Sequence, residues 1–124
     1  MIRSLTVKNF ALASSLSLEF GEKLNILSGE TGAGKSILID CIMLLTGGKY
    51  DKTMLRYGTE SGFIEGVFSL SEDGKAVFAD YLEDGDEDVI ITRKFNADGR
   101  NDIKVNGRSV TLSALKKFGS HLLD

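Results

Sequence analysis

Residues 29–36 read Gly-Glu-Thr-Gly-Ala-Gly-Lys-Ser, a complete G-x-x-x-x-G-K-[ST] phosphate-binding loop. No other feature constrains the fold of these 124 residues as tightly. Such a loop must follow a buried strand and open a helix. Its glycines let the backbone wrap so that successive N–H groups converge on phosphate oxygens. In that arrangement Lys35 reaches the β- and γ-phosphates and the Ser36 hydroxyl binds Mg²⁺. The positive end of the helix dipole adds to the anion site.

The flanks agree with this demand. The short apolar run Leu24-Asn25-Ile26-Leu27-Ser28 precedes the loop and reads as its strand. Ile37 to Leu45 follows it and is apolar on nearly every side, which predicts a helix buried within the domain. Gly47 or Gly48 is placed to cap that helix.

Two strands are expected before the loop. Ile2, Leu5 and Val7 mark the first, to about Lys8. Leu12 to Phe20 alternates, with Leu12, Leu16, Leu18 and Phe20 on one face, and pairs with the first as a hairpin. Residues 49–60 read as a loop with one helical turn, and Phe63 to Leu70 as a strand. Lys75 to Glu83 reads as a short helix with Ser71 just upstream. Val89 to Phe95 is a strand, Ala97-Asp98-Gly99-Arg100 a turn, and Ile103 with Val105 the return strand. Asn106-Gly107 is a strong hairpin signal, and Ser109-Val110-Thr111 returns once more. Ser113 is the expected N-cap of a last helix that ends at Gly119. The fold class is α/β: a P-loop strand and helix joined to a largely antiparallel β layer. A complete P-loop domain needs further parallel strands with helices on both faces, so residues 1–124 read as part of a larger domain.

Charge adds little by itself. A net charge of −3 and a pI near 5.2 do not mark a nucleic-acid binder. The distribution is uneven, however. Residues 60–90 carry ten acids and one base, and residues 91–118 carry seven bases and two acids. The basic set is Arg93, Lys94, Arg100, Lys104, Arg108, Lys116 and Lys117. It reads either as a DNA-facing patch or, more simply, as a solvated face. Cys41, the one cysteine, falls in the expected buried helix and suits a reducing, cytoplasmic setting. No signal peptide is visible, and the longest apolar stretch is too short to span a bilayer, so no membrane partner is expected.

Hydrolysis needs an acid at the end of an apolar strand to complete the Mg²⁺ site. Three segments approach that pattern. Ile37-Leu38-Ile39-Asp40 lies inside the loop's own helix, while Phe63-Ile64-Glu65 and Leu122-Leu123-Asp124 are too short. His121 has no nucleophile or metal partner in the sequence, and no catalytic residue is assigned.

With these motifs in place, the whole chain resembles the RecN family of bacterial DNA repair ATPases. The resemblance rests on the opening residues 2–12, on Leu18-Glu19-Phe20-Gly21, on the loop and on Asp98-Gly99-Arg100. It rests also on Val105-Asn106-Gly107-Arg108-Ser109-Val110-Thr111-Leu112. Asn9-Phe10-Ala11, Gly29-Glu30-Thr31 and Asn106-Gly107-Arg108 separate it from the related SMC and RecF heads. The resemblance implies the N-terminal part of an ABC-type ATPase head. The glutamine loop, coiled coil, signature motif and Walker B strand are not among these residues. It implies ATP and Mg²⁺ as cofactors, and ATP sandwiched between two heads of a homodimer. It implies action on DNA in double-strand break repair and recombination, in the bacterial cytoplasm at the nucleoid. Carried over residue by residue, Gly29, Gly32, Gly34, Lys35 and Ser36 are nucleotide ligands, with Ser36 on the metal. Thr31 and Ala33 contribute backbone, and Glu30 fits the family loop.

Two other readings compete. One is a different SMC- or RecF-like DNA-associated head, or a module that binds without catalysis. The other is a P-loop small-molecule kinase, which usually places its loop after the very first strand and needs an arginine-rich lid. Here two strands come first, and residues 49–90 contain only Arg56. With no catalytic acid assigned, isolated residues 1–124 are expected to bind ATP with negligible hydrolysis. Sustained phosphate release by the purified segment would show that an acid was overlooked.

Overall fold

The computed structural model describes residues 1–11, 13–20, 24–25 and 31–122, with backbone alone at 24–25 and 31–36. The described strands are β1 (Ile2–Phe10), β2 (Ala13–Phe20), β3 (Leu24–Asn25), β4 (Ser61–Ser69), β5 (Asp88–Asn96), β6 (Asn101–Val105) and β7 (Arg108–Ser109). They form one sheet in the order β3-β2-β1-β4-β5-β6-β7, and every described pairing is antiparallel. The helices are α1 (Thr31–Leu45), α2 (Glu72–Val77) and α3 (Leu112–Gly119).

The sheet has one dry face, because each long strand alternates. Leu5 and Val7 of β1 point inward, as do Gly62, Ile64, Gly66 and Phe68 of β4. Val89, Ile91, Arg93 and Phe95 do the same on β5. Register aligns these into rows across the sheet: Val7 faces Ile64, Ile64 faces Arg93, and Arg93 faces Ile103. On that face α1 buries Ile37, Leu38, Cys41, Leu44 and Leu45, a stripe with helical spacing. Burial pushes the Cys41 thiol up to about 12, with Asp40 next in the helix adding to the shift. The thiol is therefore an inert core group at neutral pH.

Several expectations are corrected. The helix after the loop is not buried all round: Ile39 and Met43 are each 59% exposed, because only the sheet-facing side of α1 is covered. The expected helix Lys75–Glu83 lies earlier. The Ser71 hydroxyl accepts from the Gly74 N–H at 3.1 Å and starts α2 at Glu72. Phe78, drawn fully into the core, ends it, and Ala79–Tyr81 is a separate 3₁₀ turn. Thr111, not Ser113, caps α3, its hydroxyl accepting from the Ala114 N–H at 3.1 Å. The Asn106-Gly107 hairpin forms as expected, with φ of 48° and 82° at its two turn residues.

Gly119 is the last residue of α3, as expected. It lies in the last turn, where a Cβ would overlap the Thr46 carbonyl oxygen at the end of α1. Glycine here lets two helices touch backbone to backbone. Gly119→Ala is expected to lower stability by about 1–3 kcal/mol, the cost of overpacking a closed contact. Urea unfolding checks this; an unchanged midpoint would refute it.

Candidate nucleotide site at the start of α1

β3 runs antiparallel to β2 and therefore parallel to β1, toward the end of the sheet that holds the β1–β2 turn. Its last residue, Asn25, and the first residue of α1, Thr31, bracket residues 26–30. Of the sequence-assigned ligands, Gly29 and Glu30 lie outside the described residues. Thr31, Gly32, Ala33, Gly34, Lys35 and Ser36 form the opening of α1. The helix thus begins inside the phosphate-binding motif. Its first N–H groups have no partner within the helix and are the donors an anion would use. This strand-to-helix arrangement fits a nucleotide phosphate with Mg²⁺. Ser36, the expected metal ligand, sits one residue past Lys35 in the same stretch of helix.

The same end of the sheet carries a cleft of about 600 Å³, lined by Ala11, Lys52, Leu55, Arg56, Tyr57 and Thr59 among others. Its floor is made by docking residues 51–59 onto the β1–β2 turn. The Ala11 N–H donates to the Met54 carbonyl at 2.7 Å, and the Arg56 N–H to the Asn9 carbonyl at 2.9 Å. Asn9 and Ala11 adopt left-handed φ of 54° and 51°, which folds Phe10 inward against Leu55. The Asn9 amide donates to the Ser61 carbonyl at 3.0 Å. Gly62 is required beside it, since a Cβ there would stand 2.5 Å from the Lys8 carbonyl oxygen. The Asp51 carboxylate caps the 3₁₀ turn Lys52–Met54, and hydrogen bonds from Thr53 hold it below the usual carboxylate range. Tyr57 projects fully into solvent at the rim.

The far end of α1 is closed by a Schellman motif. The Gly48 N–H donates to the Met43 carbonyl at 2.8 Å and the Gly47 N–H to the Leu44 carbonyl at 3.3 Å, with Gly47 at φ 112°. The Leu44 carbonyl, which already accepts from Gly47, and the Gly48 carbonyl also meet Arg93, whose side chain is wholly buried. Its Nη1 donates to the Leu44 carbonyl at 2.8 Å and to the Gly48 carbonyl, and its Nη2 to Asn101 Oδ1 at 2.8 Å. The guanidinium lies 5.8 Å from the centre of the Phe95 ring, which stacks on Tyr50 at 4.2 Å. Burial lowers its pKa to about 10, still far above neutrality, so the cation persists. The sequence reading placed Arg93 in an exposed basic set, and this is corrected. The alternation Val89, Ile91, Arg93, Phe95 was the signal that places it inward.

The rest of that set is not brought together. Lys94 and Lys104 lie on the outer face of β5 and β6, interleaved with Asp102 and with Glu65, which accepts from the Thr92 hydroxyl. Arg100 is tied to Asp98 at 2.8 Å in the turn. Arg108 donates to the Asp80 carbonyl and covers the Tyr81 ring. Lys116 and Lys117 are on α3. Asp40 is exposed on α1 and Glu65 sits on the outer face of the sheet, so neither joins the cleft. Leu123 and Asp124 lie outside the described residues. Among the described residues no group of three His, Cys, Asp or Glu could hold a metal, and no helix is long and apolar enough to cross a membrane.

An antiparallel sheet that feeds a strand into a loop and then into a helix across its dry face is the architecture of ATPase heads. The chain belongs to the AAA domain family, whose model matches residues 4–124. The expected resemblance is also borne out. Over its whole length the chain is 41% identical to the DNA repair protein RecN of Bacillus subtilis and 42% identical to that of Synechocystis. It spans 22% of the length of each, about a fifth. Solved structures share the fold at lower identity. A structure from work on ATP-driven dimerization and DNA-stimulated activation of SMC ATPases superposes with a TM-score of 0.74 at 20% identity. That match covers 98% of this chain and 79% of the other. The recombination mediator RecF with a bound ATP analogue gives 0.71 at 21% identity, over 93% of this chain and 29% of that one. The α/β head with its antiparallel layer is therefore the fold.

Proposed function

We propose that residues 1–124 are the N-terminal, ATP-binding part of a DNA repair ATPase head. The observation that carries this reading is a helix that begins inside the Gly29–Ser36 motif, at the sheet end to which β3 runs. In this reading the backbone N–H groups of Gly29, Glu30, Thr31, Gly32, Ala33 and Gly34 cradle the phosphates. Lys35 holds the β- and γ-phosphates and Ser36 holds Mg²⁺. Bound Mg²⁺ neutralises the phosphate charge for transfer to water. The cleft between Ala11 and Tyr57 shares the loop's end of the sheet and suits the base and sugar. Catalysis then waits for an acid from outside residues 1–124 and for a second head, so this chain's part is to bind and orient the nucleotide. The relatives named DNA repair proteins support DNA repair as the setting; in this reading the lesions are double-strand breaks, DNA is a partner and the place is the bacterial cytoplasm.

Mg-ATP is expected to raise the melting temperature of residues 1–124, and Lys35→Ala to abolish the rise while leaving the nucleotide-free melting temperature unchanged. Equal rises in both proteins would sink the assignment. For DNA, the outward lysines are the contacts to test. Neutralising Lys94, Arg100 and Lys104 in the full-length protein is expected to flatten the dependence of DNA affinity on salt. An unchanged slope would remove this face from the DNA interface.

A further inference from the structure

We infer that Arg93 is a positioning residue for the phosphate-binding loop: by fixing the C-terminal end of α1 to β5 and β6, it sets where the N-terminal end presents its donors. The inference rests on the nucleotide-binding reading of Gly29–Ser36.

Three observations lead to it. First, Arg93 is a wholly buried cation with no carboxylate partner among the described residues. Its Nε has no hydrogen-bond partner. Filling this space with an apolar side chain would avoid the desolvation of a charge, so bulk alone does not account for arginine here. What arginine adds is direction. Its planar fork binds the Leu44 and Gly48 carbonyls on one side and Asn101 Oδ1 on the other. Those two carbonyls stand at the negative end of the α1 dipole, where a cation is favoured.

Second, among the described residues the close approaches to α1 lie at this same end. Gly119 of α3 abuts the Thr46 carbonyl, and Gly66 of β4 lies under Leu45, where a Cβ would stand 2.7 Å from Leu45 Cδ1. Gly47 packs on Lys116 in the same way. The helix is therefore clamped at the end away from its proposed ligand.

Third, the helix is a rigid lever. Its 15 residues span about 22 Å at about 1.5 Å per residue. A tilt of about 3° at the clamp then moves the first turn by about 1 Å, enough to spoil an aligned donor set. Arg93 touches no nucleotide; it acts through the axis of α1.

The test compares ATP affinity and turnover of the full-length protein with those of Arg93→Met, Arg93→Lys and Lys35→Ala, at a temperature well below each melting point. Arg93→Met is expected to weaken ATP binding and raise KM at least tenfold, with kcat changed much less. Arg93→Lys is expected to recover only part of that loss, because an ammonium can still donate to the helix-end carbonyls but has no planar fork to hold Asn101 Oδ1 at the same time. Wild-type affinity in Arg93→Met, alongside lost binding in Lys35→Ala, would overturn the positioning role and leave the loop assignment intact. Wild-type affinity in Arg93→Lys would also overturn it, since the fork's direction would then not matter. Normal binding by Lys35→Ala would overturn both readings. If Arg93→Met fails to fold, Asn101→Ala decides: it frees one side of the fork at an exposed residue. It is expected to weaken ATP binding about threefold, and unchanged affinity would overturn the inference.

Discussion

A single guanidinium joins the helix to the sheet. Arg93 stands in an inward row between Ile64 and Ile103, where every neighbour along the row is apolar. A bare cation there would cost several kcal/mol. It is stable because the end of α1 offers carbonyl acceptors at the negative pole of its dipole, the Leu44 carbonyl accepting from Arg93 as well as from Gly47. Asn101 closes the arrangement from β6, so one side chain links three elements.

The rest of the inner layer adapts to that junction. β4 runs beneath α1 with glycine at 62 and 66, both on its inward face. One lets the β1 carbonyls approach, and the other makes room for Leu45. α3 comes in from the other side with Gly119 on Thr46, and Phe118 packs on Phe78 at 4.9 Å to hold it there. The opposite end of the sheet adds hydrogen bonds between loops to its packing. There the left-handed Asn9 and Ala11 turn the chain, and residues 51–59 dock on it. One end holds the close approach of α3 to α1; the other carries the loop-lined cleft.

Much of this was legible in the chain. The strand alternation of Leu16, Leu18 and Phe20, the Asn106-Gly107 turn and the Gly47 cap each follow from local chemistry, and each formed. The errors share one cause. Ser113 and Thr111 are both competent caps, and only the docking of α3 on Thr46 chooses between them. Lys75–Glu83 has the spacing of a helix, but burial of Phe78 breaks it. The charge of Arg93 suggests an exposed base, while its parity with Ile91 and Phe95 puts it on the inward face.

The sequence by itself determined the motif, the order of elements and the family, because these depend on residues within a few positions of one another. Backbone conformational preference, alternation and the glycine-lysine-serine spacing are local and survive any rearrangement of the rest. Tertiary structure alone decided which helix face is covered. It also decided which end of α1 is held and where the cleft opens. Those outcomes depend on segments some fifty residues apart, such as Leu44 and Arg93. Alternation says which residues share a face; which face is covered depends on what the rest of the chain places over it.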